Sequence, residues 1–140
     1  MDNIQVEKIW EDESLIELKI TVSTKYAIVY QTYYTNSEEL LNISQMIINY
    51  ADNFTKGYYI KMGNKEGNYT PVLSMNFLKA DASGHTKIEM DIEIADVDDR
   101  SHRCMCFVNS ELGAIEKFGM NLRKICDGDL GETITLLDNG

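Results

Sequence analysis

The sequence predicts an α+β fold, a mainly antiparallel sheet of about seven strands covered by two helices. Three observations carry this reading. Short segments rich in β-branched and aromatic residues recur along the chain with an alternating apolar pattern. Two stretches, "TNSEELLNISQMIINYA" from Thr35 and "VNSELGAIEKFGMNLRKIC" from Val108, carry apolar residues at helical spacing after nearly the same Asn-Ser-Glu start. Runs of strands interrupted by single helices, rather than regular strand–helix alternation, indicate α+β.

The elements follow in order. "NIQVEKIW" places apolar residues at Ile4, Val6 and Ile9, with a phase change before Trp10, and reads as a bulged strand. After the polar turn "EDES", Ile16, Leu18, Ile20 and Val22 alternate on one strand face. "KYAIVYQTYYT" is the next strand, joined to its predecessor through Thr24 and Lys25 as a hairpin. In the first helix Ser37 is expected at the N-cap. Glu38 and Glu39 then sit at the positive end of the helix dipole, and Leu40, Ile43, Ile47 and Tyr50 line one face as far as about Asp52. "GYYIKM" and "TPVLSMNFLKA" are strands, with Pro71, the only proline, at a strand start where its missing N–H does least harm. "HTKIEMDIEIA" alternates throughout. Ile88, Met90, Ile92 and Ile94 turn inward, and Lys87, Glu89, Asp91 and Glu93 turn outward. "HRCMCFV" is a strand, and Ser110 is expected to cap a second helix whose apolar face is Leu112, Ile115, Phe118, Leu122 and Ile125. "ETITLL" closes as a short strand.

Leu40, Ile43, Met46 and Tyr50 of the first helix recur as Leu112, Ile115, Phe118 and Leu122 in the second, at one constant offset. Each half therefore reads as a hairpin followed by a covering helix. Either an ancient duplication or two solutions to one packing problem gives this pattern. No linker or low-complexity run divides the chain, so residues 1–140 are read as one domain, of a length that can bury a sizeable core.

A formal net charge of −10, from 13 basic and 23 acidic side chains, argues against nucleic acid and against an anionic membrane surface. It favours a basic partner. No apolar run is long enough to span a bilayer, and the start "MDNIQVEKIW" lacks a secretory apolar core. Three cysteines without a signal peptide read as reduced thiols, so a cytoplasmic location is expected.

No catalytic motif is present, and no catalytic, cofactor-binding or metal-binding residue is assigned. His102, Cys104 and Cys106 alternate and so share a strand face. However, the spacing matches no zinc knuckle and no fourth ligand is evident, so no metal is expected there. "DVDDR" departs from a calcium loop and reads as a solvated turn. Seven of the eight tyrosines, Tyr26, Tyr30, Tyr33, Tyr34, Tyr58, Tyr59 and Tyr69, fall in the first half. The adjacent pairs Tyr33–Tyr34 and Tyr58–Tyr59 put one ring on each sheet face, so one of each pair should be exposed. The candidate partner-binding residues are these four tyrosines with Glu89, Asp91 and Glu93 on the long strand and Asp96, Asp98 and Asp99 on the turn after it.

The strand "LSMNFLKA", the Asp-x-x-Gly-His turn (Asp81, Gly84, His85) and the long strand after it resemble the small bacterial immunity proteins of the WapI type. The pattern of Ile115, Phe118 and Leu122 is similar to that family's carboxy-terminal helix, although the family's tryptophan- and glycine-rich start is missing. The resemblance implies a cytosolic, non-enzymatic protein that neutralises a toxin by binding it, and it transfers no catalytic residue. The expected partner is thus a protein, such as a basic toxin domain. The alternatives are a structural or regulatory homo-oligomer, a homodimer for example, whose exposed strands pair with themselves, and a small enzyme.

Overall fold

The computed structural model describes residues 2–53, 56–64, 71–94 and 102–136. The elements are β1 (Asn3–Glu11), β2 (Ile16–Ser23), β3 (Ile28–Thr35), α1 (Ser37–Asp52), β4 (Tyr58–Asn64), β5 (Pro71–Phe77), β6 (His85–Ile94), β7 (His102–Glu111), α2 (Leu112–Lys124) and β8 (Thr133–Thr135). A 3₁₀ turn, Ile125–Asp127, continues α2.

The eight strands divide between two antiparallel sheets, β3-β2-β1-β8 and β4-β5-β6-β7. Written in the same sense the orders are β3-β2-β1-β8 and β7-β6-β5-β4. Each half is a three-stranded meander followed by a helix, and the strand after each helix joins the other half's sheet. β4 leaves α1 to flank β5, and β8 leaves α2 to flank β1. The sequence predicted hairpin-plus-helix halves. The exchange, which no local pattern announces, is what makes two sheets of four.

Local chemistry accounts for the elements. On β2 and β6 the alternating residues bury one full face: Ile16, Leu18, Ile20 and Val22, then Ile88, Met90 and Ile92. The phase change in β1 is a bulge between Lys8 and Trp10, as expected from the sequence. It turns Trp10 to the face away from the core, opposite Glu17. The hairpin from β2 closes on Thr24 and Ala27, with Thr24 N–H donating to the Ala27 carbonyl (2.8 Å), and β3 starts only at Ile28. The Asp81–His85 turn is held by the Asp81 carboxylate, which accepts from the Ser83 and His85 N–H groups at 2.9 Å each. These hydrogen bonds, chiefly that from His85, hold its pKa below the usual carboxylate value. Gly84 sits at φ +84°, where a side chain would be strained, and its carbonyl accepts from Leu112 N–H at the start of α2. The turn that carries the family resemblance thus has a structural task here: it joins β5 to β6 and anchors the second helix.

Both expected caps are displaced. At α1 the cap is Asn36, whose side-chain oxygen accepts from Glu39 N–H at 2.8 Å, and Ser37 is already helical. At α2 the N-cap residue is Glu111, with no side-chain cap, because β7 stays paired with β6 as far as Glu111 opposite His85 and Ser110 belongs to the strand. Asn36→Ala should therefore lower stability by about 1 kcal/mol in a denaturant titration, while Ser110→Ala should leave the α2 start unchanged. Equal losses at both positions would contradict the assignment.

The helices bury the faces expected from the sequence: Leu40, Ile43, Ile47 and Tyr50 on α1, and Ile115, Phe118 and Leu122 on α2. They join the inner faces of both sheets in one core. The helices cross at Gly119. A Cβ there would lie 2.9 Å from Ile47 Cγ2, and the Ser44 hydroxyl donates to the Gly119 carbonyl at 2.6 Å.

Candidate interaction surface

Each sheet turns one face away from the core, and these outer faces carry most of the exposed apolar side chains. On the second sheet the register sets the rows. Tyr59, Asn76, Glu89 and Phe107 lie in one row, and Lys61, Ser74, Asp91 and Met105 lie in the next. Glu93 sits opposite Arg103. The acidic residues of β6 therefore form a stripe along the middle of the face. Exposed Phe107 and Met105 lie on one side, and exposed Tyr59 lies on the far strand. The face is not uniformly acidic. Arg103 holds Asp91 through both carboxylate oxygens, its Nε at 2.8 Å from Oδ1. That ion pair, mostly through its hydrogen bond, raises the guanidinium's pKa further. Lys61 and Lys87 flank the stripe.

The sequence-predicted residues separate in space. Tyr59, 52% exposed, shares the outer face of the second sheet with Glu89, Asp91 and Glu93. Tyr58 points to the inner side, half-buried against Tyr50. Tyr34, 57% exposed, lies on the outer face of the first sheet, its ring edge-on to Trp10 at 6.0 Å. Tyr33 is 5% exposed and belongs to the core. Burial, and then the nearby charge of Glu39, push its hydroxyl pKa upward. One tyrosine of each pair is thus exposed, as expected, and Tyr33 is corrected from surface to core because its strand position faces inward. Asp96, Asp98 and Asp99 lie outside the described residues.

The first sheet's outer face was not singled out from the sequence. Ile28, Tyr30 and Tyr34 on β3 and Trp10 on β1 are exposed there, with the Lys19 ammonium 4.5 Å from the centre of the Tyr30 ring. Alternation in "IVYQTYYT" could have placed Ile28, Tyr30 and Tyr34 on one face. The bulge that brings Trp10 to them could not be placed as precisely.

Cys104 and Cys106 sit on the inward side of β7, half-buried. Burial, then the neighbouring Cys104, push the Cys106 thiol up to about 11, a state that disfavours the thiolate a metal would need. Among the described residues no three His, Cys, Asp or Glu side chains gather as a metal-binding group. No helix among them is long and apolar enough to cross a membrane. Compared with known protein families, curated proteins and solved structures, the chain matches none.

Proposed function

We propose that the chain is a non-catalytic protein-binding module that uses the outer face of its second sheet, in the manner of an immunity protein that neutralises a basic toxin domain. The observation that carries this reading is the face itself, an acidic stripe of Glu89, Asp91 and Glu93 bordered by exposed Phe107, Met105 and Tyr59. Large apolar side chains supply affinity when a partner covers them. Charges around them steer the approach and select the sign of the partner. A net charge of −10 gives a long-range attraction for a basic surface. The resemblance of the Asp81–His85 turn region to immunity proteins agrees in kind.

The test is surface-plasmon kinetics against the purified product of the adjacent gene, at two salt concentrations. Replacing Glu89 and Glu93 by glutamine should slow association severalfold at low salt, and high salt should erase the difference. Phe107→Ala should act mainly on dissociation. Association that ignores the glutamine pair would remove this face from the interface, and an absence of binding would remove the proposed partner.

A further inference from the structure

β3 is the terminal strand of its sheet and pairs only with β2 among the described residues. Its open edge can be assigned residue by residue. The hairpin closes with Thr24 and Ala27 bonded to each other, and hydrogen-bonded pairs then alternate along an antiparallel ladder. The N–H and C=O groups of Ile28, Tyr30, Thr32 and Tyr34 therefore point away from β2. The same four residues project onto the outer face, where Ile28, Tyr30 and Tyr34 are exposed. A cleft of ≈ 420 Å³ runs beside this edge, lined by the consecutive residues Ile28, Val29, Tyr30 and Gln31, with Ile94 also on its wall.

Proteins usually guard such edges with lysine, proline or inward-turned charge. β3, "IVYQTYYT", has none of these and carries no charge at all in a chain of net charge −10. Its guard is one neutral side chain. Gln31 folds along the edge, accepts from Thr32 N–H at 3.0 Å through Oε1, and donates to the Glu93 carbonyl at 2.8 Å through Nε2.

We infer that this edge is a homodimer interface, with β3 of a second copy as its occupant. The strand is self-complementary about a two-fold axis at Gln31. In that register Ile28 faces Tyr34 of the second copy, Tyr30 faces Thr32, and every edge-facing residue finds an edge-facing partner. Thr32 N–H passes from Gln31 to the Tyr30 carbonyl of the second copy, and the two Gln31 amides meet at the axis. Ile28 comes to lie against Tyr34, whose other neighbour is Trp10, extending an apolar cluster across the junction. Neutrality is what selects a second copy as the occupant. Two chains of charge −10 repel, and they can meet only where the local charge is absent.

This surface is distinct from the second-sheet face, and its test involves no other protein. Sedimentation of the full chain should show a dimer that salt strengthens, because salt screens like charges, whereas a contact between acidic and basic proteins weakens with salt. Thr32→Pro removes an edge N–H that the β2 ladder does not use. It should weaken dimerisation about tenfold or more, with the far-UV circular dichroism unchanged. Gln31→Cys should cross-link two copies on oxidation, and Tyr26→Cys in the turn should not. If Thr32→Pro fails to fold, the cross-link decides alone. A strict monomer, a dimer weakened by salt, a folded Thr32→Pro variant that dimerises normally, or an uncrosslinked Gln31→Cys dimer would each overturn the assignment.

Discussion

Lys8→Met should destabilise the protein by about 3 kcal/mol, read as a fall in the denaturant midpoint at unchanged slope. Lys8 is 1% exposed, on the inner face of β1. Its ammonium donates to the Gly128 carbonyl at 2.8 Å and the Cys126 carbonyl at 3.2 Å, and it pairs with Glu11 at 2.6 Å. The two carbonyls lie where the helical turn after α2 ends, where the backbone leaves acceptors unsatisfied. Methionine preserves the volume but strands both acceptors and leaves Glu11 unpaired. The backbone adds to this knot: Lys8 N–H donates to Glu132 and the Lys8 carbonyl accepts from Gly131. Wild-type stability in the methionine variant would mean that water replaces the ammonium at no cost.

Tyr50→Ala should cost about 4 kcal/mol, the upper part of the range for removing a buried aromatic ring. The Tyr50 side chain is fully buried, with its ring 5.1 Å from that of Phe77 and 6.1 Å from that of Tyr58. Its hydroxyl bonds to the Leu78 carbonyl and, at 2.8 Å, to Thr86 Oγ1, which itself bonds to Leu78 at 2.8 Å. A side chain from the first helix thereby locks the β5–β6 turn of the other half. Tyr50→Phe keeps the ring and should cost only about 1 kcal/mol. Burial raises the pKa of the Tyr50 hydroxyl. The unfolded chain therefore releases this proton at lower pH than the folded one. The stabilisation is complete below about pH 10 and is lost as the pH rises above it. Tyr50→Phe should flatten that alkaline decline in part, since Tyr33 contributes to it in the same sense. A decline equally steep in Tyr50→Phe would assign it elsewhere.

Legibility followed the range of the forces involved. β6 could be read directly because one face meets water and the other the core, and the sequence records that contrast every second residue. The two helix faces were legible for the same reason at a different period. The caps slipped by one residue because neighbouring Asn and Ser are equally able to cap, and only the backbone angle at Asn36 chooses between them. Ser110 was misplaced because strand pairing to His85 outlasts the local helix signal. Lys8 was invisible as a core residue, since a lysine reads as solvated until the carbonyls that receive it, 120 residues away for Gly128, come into view. The same holds for the division into two sheets, which depends on where β4 and β8 travel after their helices. Of the candidate surface, the acidic face of β6 was legible from alternation. Its Arg103 clamp and its neighbours Phe107 and Met105 depend on the β6–β7 register.

The reciprocal exchange of strands also has a consequence for the order in which the molecule can be made. While the ribosome is still extending the chain, β1 to β3 and α1 can emerge complete, yet β1 keeps a bare edge until β8 arrives, and Ile4 waits for Leu136 N–H. β4 leaves the exit tunnel before the strand it flanks. Neither half can reach its final state as an autonomous unit, so the commitment to fold falls late in synthesis and involves both halves together.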